Sequence, residues 1–164
     1  MTSRIARVLT APVLATAVLL VGAGPGTATQ GDDAIAEATF GNATVVVTEL
    51  ERTSGRTVTL RFVISNDGSE EFELWDHFGE DANDWTMGGV YLFDEANSTK
   101  YLSLREGGEE NLCVCTELET SIEVIEARDE RDFFVKFPAP PRSTETVAVV
   151  LPTLGTVDAV EIAE

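Results

Sequence analysis

The chain has 164 residues, 11 basic and 29 acidic, for a formal net charge of −18 at neutral pH. Nucleic acid and anionic lipid are bound by clustered Lys and Arg that neutralise phosphates, so this charge excludes nucleic-acid binding from the expected functions. The acidity reads first as solubility, with salt screening the self-repulsion, and second as an affinity for cations or basic partners.

Arg4 and Arg7 precede an apolar run from Val8 to Val21, which breaks into Gly22-Ala23-Gly24-Pro25-Gly26. This is the tripartite layout of a secretory signal peptide. The run is shorter than the roughly 20 residues that span a bilayer, and small residues follow it instead of positive charges. Cleavage is expected, after Ala28 or after Ala36, with residues 1–28 as the preferred leader. No cysteine lies near either site to carry a lipid, and the arginines are split by Ile5-Ala6, unlike a twin-arginine signal. The expected product is released and extracellular, without a membrane anchor. Losing Arg4 and Arg7 leaves 9 basic against 29 acidic residues, a net charge near −20. What remains is the size of one domain able to bury a core without metals or many disulfides.

Residues 29–42 carry Gly31-Asp32-Asp33 and scattered alanines and read as a flexible lead-in. The texture then changes to short β-branched segments divided by Gly, Pro, Asn and Asp. Ala43–Glu51 is the first expected strand, joined through Arg52-Thr53-Ser54-Gly55-Arg56 to Thr57–Ser65. In the latter, Val58, Leu60, Phe62 and Ile64 alternate with outward positions, the period of a half-buried strand. A glycine at 55 offers positive φ for the hairpin, and Asn66-Asp67-Gly68-Ser69 is a second turn. Further expected strands are 71–76, 89–93, 100–104, 121–125, 132–137, 146–151 and 156–162. Pro138, Pro140 and Pro141 end one strand abruptly, because proline cannot donate to a ladder. About seven to nine short strands between turns predict an all-β, immunoglobulin-like Greek-key sandwich over residues 43–164.

The run Val58-Thr59-Leu60-Arg61-Phe62-Val63-Ile64-Ser65-Asn66-Asp67-Gly68, behind a signal peptide, resembles the opening of small immunoglobulin-like domains in secreted bacterial proteins. Lys100-Tyr101-Leu102-Ser103-Leu104-Arg105, then Cys113-Val114-Cys115-Thr116, then Phe137-Pro138-Ala139-Pro140-Pro141 look like a subgroup of actinobacterial exported proteins. In some of those the domain precedes an OmpA-like peptidoglycan-binding domain, which the sequence in hand does not include. The resemblance spans roughly residues 43–162. It implies an extracytoplasmic, non-enzymatic domain of unknown role and supplies no catalytic residue.

Cys113 and Cys115 are the only cysteines. Three readings stand: a local disulfide, favoured by an oxidising compartment, two free or intermolecularly paired thiols, or a pair of soft copper(I) ligands with His77 or Met87. Residues i and i+2 of a regular strand lie roughly 6.7 Å apart, so a bridge requires a bend. The segment from Trp75 to Trp85 gathers Asp76, Glu80, Asp81 and Asp84, hard ligands of the kind calcium takes, although without the spacing of a calcium loop. Without that spacing the segment reads first as a solvated acidic loop, with His77 an ordinary loop residue. Trp75, Phe78 and Trp85 are core anchors or a contact surface.

No glycine-flanked serine nucleophile, phosphate loop or H-E-x-x-H pattern is present. Asn42-Ala43-Thr44 and Asn97-Ser98-Thr99 match the glycosylation pattern by coincidence if the source is bacterial. The expected function is therefore that of a secreted, monomeric, cofactor-free interaction domain for another extracellular or cell-envelope protein. An extracellular metal-binding protein is the alternative, and a small hydrolase a distant third.

Overall fold

The structure, a computed structural model, describes residues 34–74, 78, 86–108, 111–118 and 124–164. The leader and its cleavage after Ala28 lie outside the described residues. Ten strands are formed: β1 (Ala36–Phe40), β2 (Ala43–Ser54), β3 (Thr57–Asn66), β4 (Phe72–Glu73), β5 (Tyr91–Asp94), β6 (Thr99–Leu102), β7 (Val124–Ile125), β8 (Glu130–Pro138), β9 (Thr146–Leu151) and β10 (Gly155–Glu161). No helix occurs among the described residues, and every strand-to-strand pairing is antiparallel. One sheet has the order β1-β2-β3-β8 and the other β10-β9-β5-β6, while β4 and β7 form a two-stranded ribbon.

Alternation builds the core between the two main sheets. Val47, Phe62 and Phe133 are neighbours across β2, β3 and β8, with the two rings 5.5 Å apart. Opposite them the second sheet contributes Leu92, Val147, Val149, Leu151, Val157 and Val160, all buried. Each such side chain stabilises the fold by about 1.5–3 kcal/mol relative to exposure.

Residues 36–40, expected within a flexible lead-in, are instead strand β1. Ala36, Ala38 and Phe40 pack on the core while Glu37 and Thr39 face outward. The alternation is real, but alanine makes it too weakly apolar to stand out. A two-residue turn at Gly41-Asn42, with Gly41 at φ 62°, closes the β1–β2 hairpin. The next hairpin is also tighter than expected. Arg52, Thr53 and Ser54 belong to β2, and only Gly55-Arg56 turn the chain. Gly55 does not use positive φ, which among the described glycines belongs to Gly41 and Gly155. Instead the hydroxyls of Thr53, Ser54, Thr57 and Thr59 bond across the hairpin at 2.6–3.2 Å.

The turn after β3 is organised by one buried side chain. Asn66 is 2% exposed, and its amide donates to the carbonyls of Glu70 at 2.7 Å, Ile125 at 2.9 Å and Glu126 at 3.2 Å. Its side-chain oxygen accepts from the Gly68 N–H at 2.9 Å. One carboxamide therefore ties the end of β3 to the end of β7 and leaves none of its groups without a partner.

The connection from β8 to β9 is held by charge. The Arg52 side chain, 7% exposed, donates to the carbonyls of Pro140 at 2.8 Å and Pro141 at 3.1 Å. Its Nε lies 2.9 Å from Glu164 Oε1 without hydrogen-bond alignment, and Arg142 donates to the other oxygen of Glu164 at 2.6 Å. After β10 the chain changes sheets: the Ala163 N–H donates to Leu50 O at 2.8 Å, and the Arg52 N–H to Ala163 O at 3.0 Å. The bridge to Glu51 is parallel and prolongs the β1 side of β2.

Gly155 lies directly under the Phe40 ring, where a Cβ would collide with three ring carbons. Gly155→Ala is expected to displace Phe40 and cost about 1–3 kcal/mol in urea denaturation. Gly55→Ala, placed in open space, should stay within about 0.5 kcal/mol of wild type. Asn66→Ala strips buried carbonyls of their donors and should cost about 2–3 kcal/mol, with hydrogen exchange accelerating in 66–70 and 124–129.

Candidate functional site

Cys113 and Cys115 sit on a segment with a structural task. The segment runs beside the outer edge of β8, where the Thr116 N–H donates to Phe134 O at 2.9 Å and the Lys136 N–H to Val114 O at 3.0 Å. It also receives the chain leaving β6. Leu104 donates to Lys136 O at 2.7 Å and accepts from the Val114 N–H at 2.7 Å, so three strands of backbone converge at Leu104, Val114 and Lys136. The chain bends at Val114, and the two cysteines form a close pair with Cα atoms 5.3 Å apart, both nearly buried.

Met87 does not serve as an exposed soft ligand. Its side chain is buried in the core and its N–H donates to Thr116 O at 3.2 Å. His77, Asp76, Glu80, Asp81 and Asp84 lie outside the described residues, as do Trp75 and Trp85. Among the described residues no three His, Cys, Asp or Glu groups gather to hold a metal. Phe78 is fully buried in the core, because packing gained from a ring outweighs any benefit of exposing it, so it belongs to no contact surface.

The two main sheets differ on their outer faces. On β2, β3 and β8 the outward positions carry Thr44, Thr48, Glu49, Arg61, Ser65, Asp132 and Lys136 around a few apolar groups. Glu51 there is pushed above the ordinary carboxyl range, first by a hydrogen bond with Glu49 and then by that residue's charge, while Glu49 pairs with Arg61 at 3.1 Å. This is an open, mixed-charge surface.

The outer face of the second sheet is apolar. Tyr91 stands opposite Leu102 on one side and Val150 on the other, and Phe93 opposite Ala148. Ala148 is buried, and Tyr91, Phe93 and Val150 are half-buried. Leu102 is 51% exposed, one of three large apolar side chains standing free among the described residues, with Ile35 and Leu112. The face's cation, Lys100, is committed to the Tyr91 ring, its Nζ 3.6 Å from the centroid. At the far end, a bulge in β10 between Val157 and Val160 puts Ala159 at φ 55° and opens a hollow of about 640 Å³. Phe93, Thr146, Ala148 and Ala159 line it together with Asp94, Glu95 and Asp158.

Asp94, beside that hollow, is spoken for. Buried at 1% exposure, it accepts from the Asn97 N–H at 3.0 Å, the Asn97 amide at 2.8 Å and the Thr144 hydroxyl at 2.8 Å. The bonds from Asn97 and then Thr144 hold its carboxyl below the ordinary value of 3.8. Asn97 thus has a structural partner within the turn.

The sequence carries a signal for the apolar face that alternation misses. Thr57–Ser65 alternates, whereas Val90–Phe93 and Val147–Leu151 are unbroken apolar runs whose outward residues are apolar as well. The chain matches no protein-family model, curated protein or solved structure.

The close cysteine pair is expected to be bridged after export, giving no reaction with an alkylating reagent until a reductant is added. Closing so short a loop removes little unfolded-state entropy, so reduction should lower stability by only about 1.5 kcal/mol in urea. For Asp94 the folded carboxyl titrates below the unfolded one. Its contribution is complete above pH 3.8 and vanishes as pH falls through the depressed folded value. The stability gap between wild type and Asp94→Asn should be constant above that range and close below it, as followed by denaturation at stepped pH.

Proposed function

We propose that this chain is an exported, non-enzymatic, immunoglobulin-like β-sandwich that acts as a binding module for another extracellular or cell-envelope protein. The leader-like N-terminus and the cysteine pair support export, with cleavage near Ala28. The two antiparallel sheets and the actinobacterial resemblance support the immunoglobulin-like assignment.

The observation that carries the binding role is the apolar outer face of the second sheet. Soluble single domains rarely leave aromatic and aliphatic groups contiguous on an open sheet unless something covers them. The described carboxylates are engaged in turns, ion pairs or open surface, which gives a hydrolase no organised site to argue from. A bridged cysteine pair would have no thiolate to offer copper.

The test is capture from culture medium and envelope fractions with tagged wild type and tagged Leu102→Asn. A partner retained by wild type and lost by the variant supports the reading. A protein that stays monomeric and unpartnered in both fractions overturns it.

A further inference from the structure

Resting on the binding-module reading, we infer that the outer face of the second sheet takes a basic, alternately apolar segment of its partner. The apolar residues of that segment lie along β5 over Tyr91 and Phe93, flanked by Leu102 and Val150, and one of its Lys or Arg side chains enters the hollow beside the β10 bulge.

Three observations fix this chemistry. First, the apolar positions repeat at i and i+2 along β5 (Tyr91, Phe93) and β9 (Ala148, Val150), the spacing at which an extended segment laid along the strands points every second side chain down. Second, the hollow continues the strip at the Phe93–Ala148 end, and its lining joins apolar Phe93, Ala96, Ala148 and Ala159 to the carboxylates of Glu95 and Asp158. That combination suits a side chain with an aliphatic stem and a cationic head. Among the described residues neither carboxylate has an ion-pair partner, in contrast to Glu49, Asp129 and Glu164. Third, Lys100 is already satisfied by Tyr91, so the face has no spare positive charge for an acidic partner. A second copy of this chain is a poor occupant, because it would bring another −18 of net charge to the contact.

The probe is a short alternating Leu-Lys peptide, with a Leu-Glu peptide of the same length as its counterpart. Titration followed by amide shifts should place the Leu-Lys peptide on β5, β6, β9 and β10, and the Leu-Glu peptide should not bind. Leu102→Asn, which changes no charge, and Asp158→Lys should each weaken binding about tenfold. Glu37→Lys makes the same charge change on β1, away from the face, and should stay within about twofold.

Equal losses from Glu37→Lys and Asp158→Lys, shifts centred on the first sheet, or no binding at all would overturn the assignment. So would shifts of this face with protein concentration in the absence of peptide, which indicate a second copy. If capture of a cellular partner survives Leu102→Asn and Asp158→Lys, the site is wrong and the binding-module reading stands. If wild type captures nothing, both fall.

Discussion

The outer edge of β8 would be left with unpaired backbone groups by the two main sheets, and residues 112–118 satisfy them. Much of the remaining architecture depends on that coverage. It removes a long open edge from the first sheet, the usual route to unwanted strand addition. It receives Leu104 as the chain leaves the second sheet, so the bonds that cover the edge also tie the two sheets together on that side. Through Thr116 it holds Met87 and the start of the segment leading into β5. The cysteines therefore sit where a bend must be kept, and a local bridge there fixes the bend at Val114 more than it restrains the unfolded chain.

The two sheets divide the work of the molecule. The first carries threonines, charges and ion pairs on its outward positions and is suited to standing in water. The second presents aromatic and aliphatic groups beside a hollow with carboxylates in its lining. The acid excess of the chain repels like-charged proteins before contact.

Alternating strands were the legible part of the sequence. Thr57–Ser65 and Thr146–Leu151 were read nearly to the residue, because periodic burial and flanking turns agree there. β1 was missed because Ala36 and Ala38 fill inward positions with almost no hydrophobic contrast. The C-terminal end of β2 is not legible because Arg52 and Thr53 look like loop residues until the proline carbonyls and the hydroxyl ladder that satisfy them are seen. Arg52 finds its partners 88 and 89 positions along the chain, and Asn66 finds Ile125 at a distance of 59, which no local pattern reveals. A bend at Val114 is what a bridge between Cys113 and Cys115 requires, but the role of the segment as an edge cover depends on β8, twenty residues later. The apolar face is not legible because a fully apolar strand reads as buried on both sides, and only the sheet order shows that one side faces away from the other main sheet.

The passage of residues 162 and 163 from the second sheet to β2 has a mechanical consequence. Tension applied at residue 164 does not meet β10 alone. Ala163 is bonded on both its amide and carbonyl to β2, and Glu164 is clasped by Arg52 and Arg142. Because the contact with Glu51 is parallel, a pull along β2 loads these bonds together in shear instead of opening them one by one. The load is thereby shared by both sheets before either begins to peel.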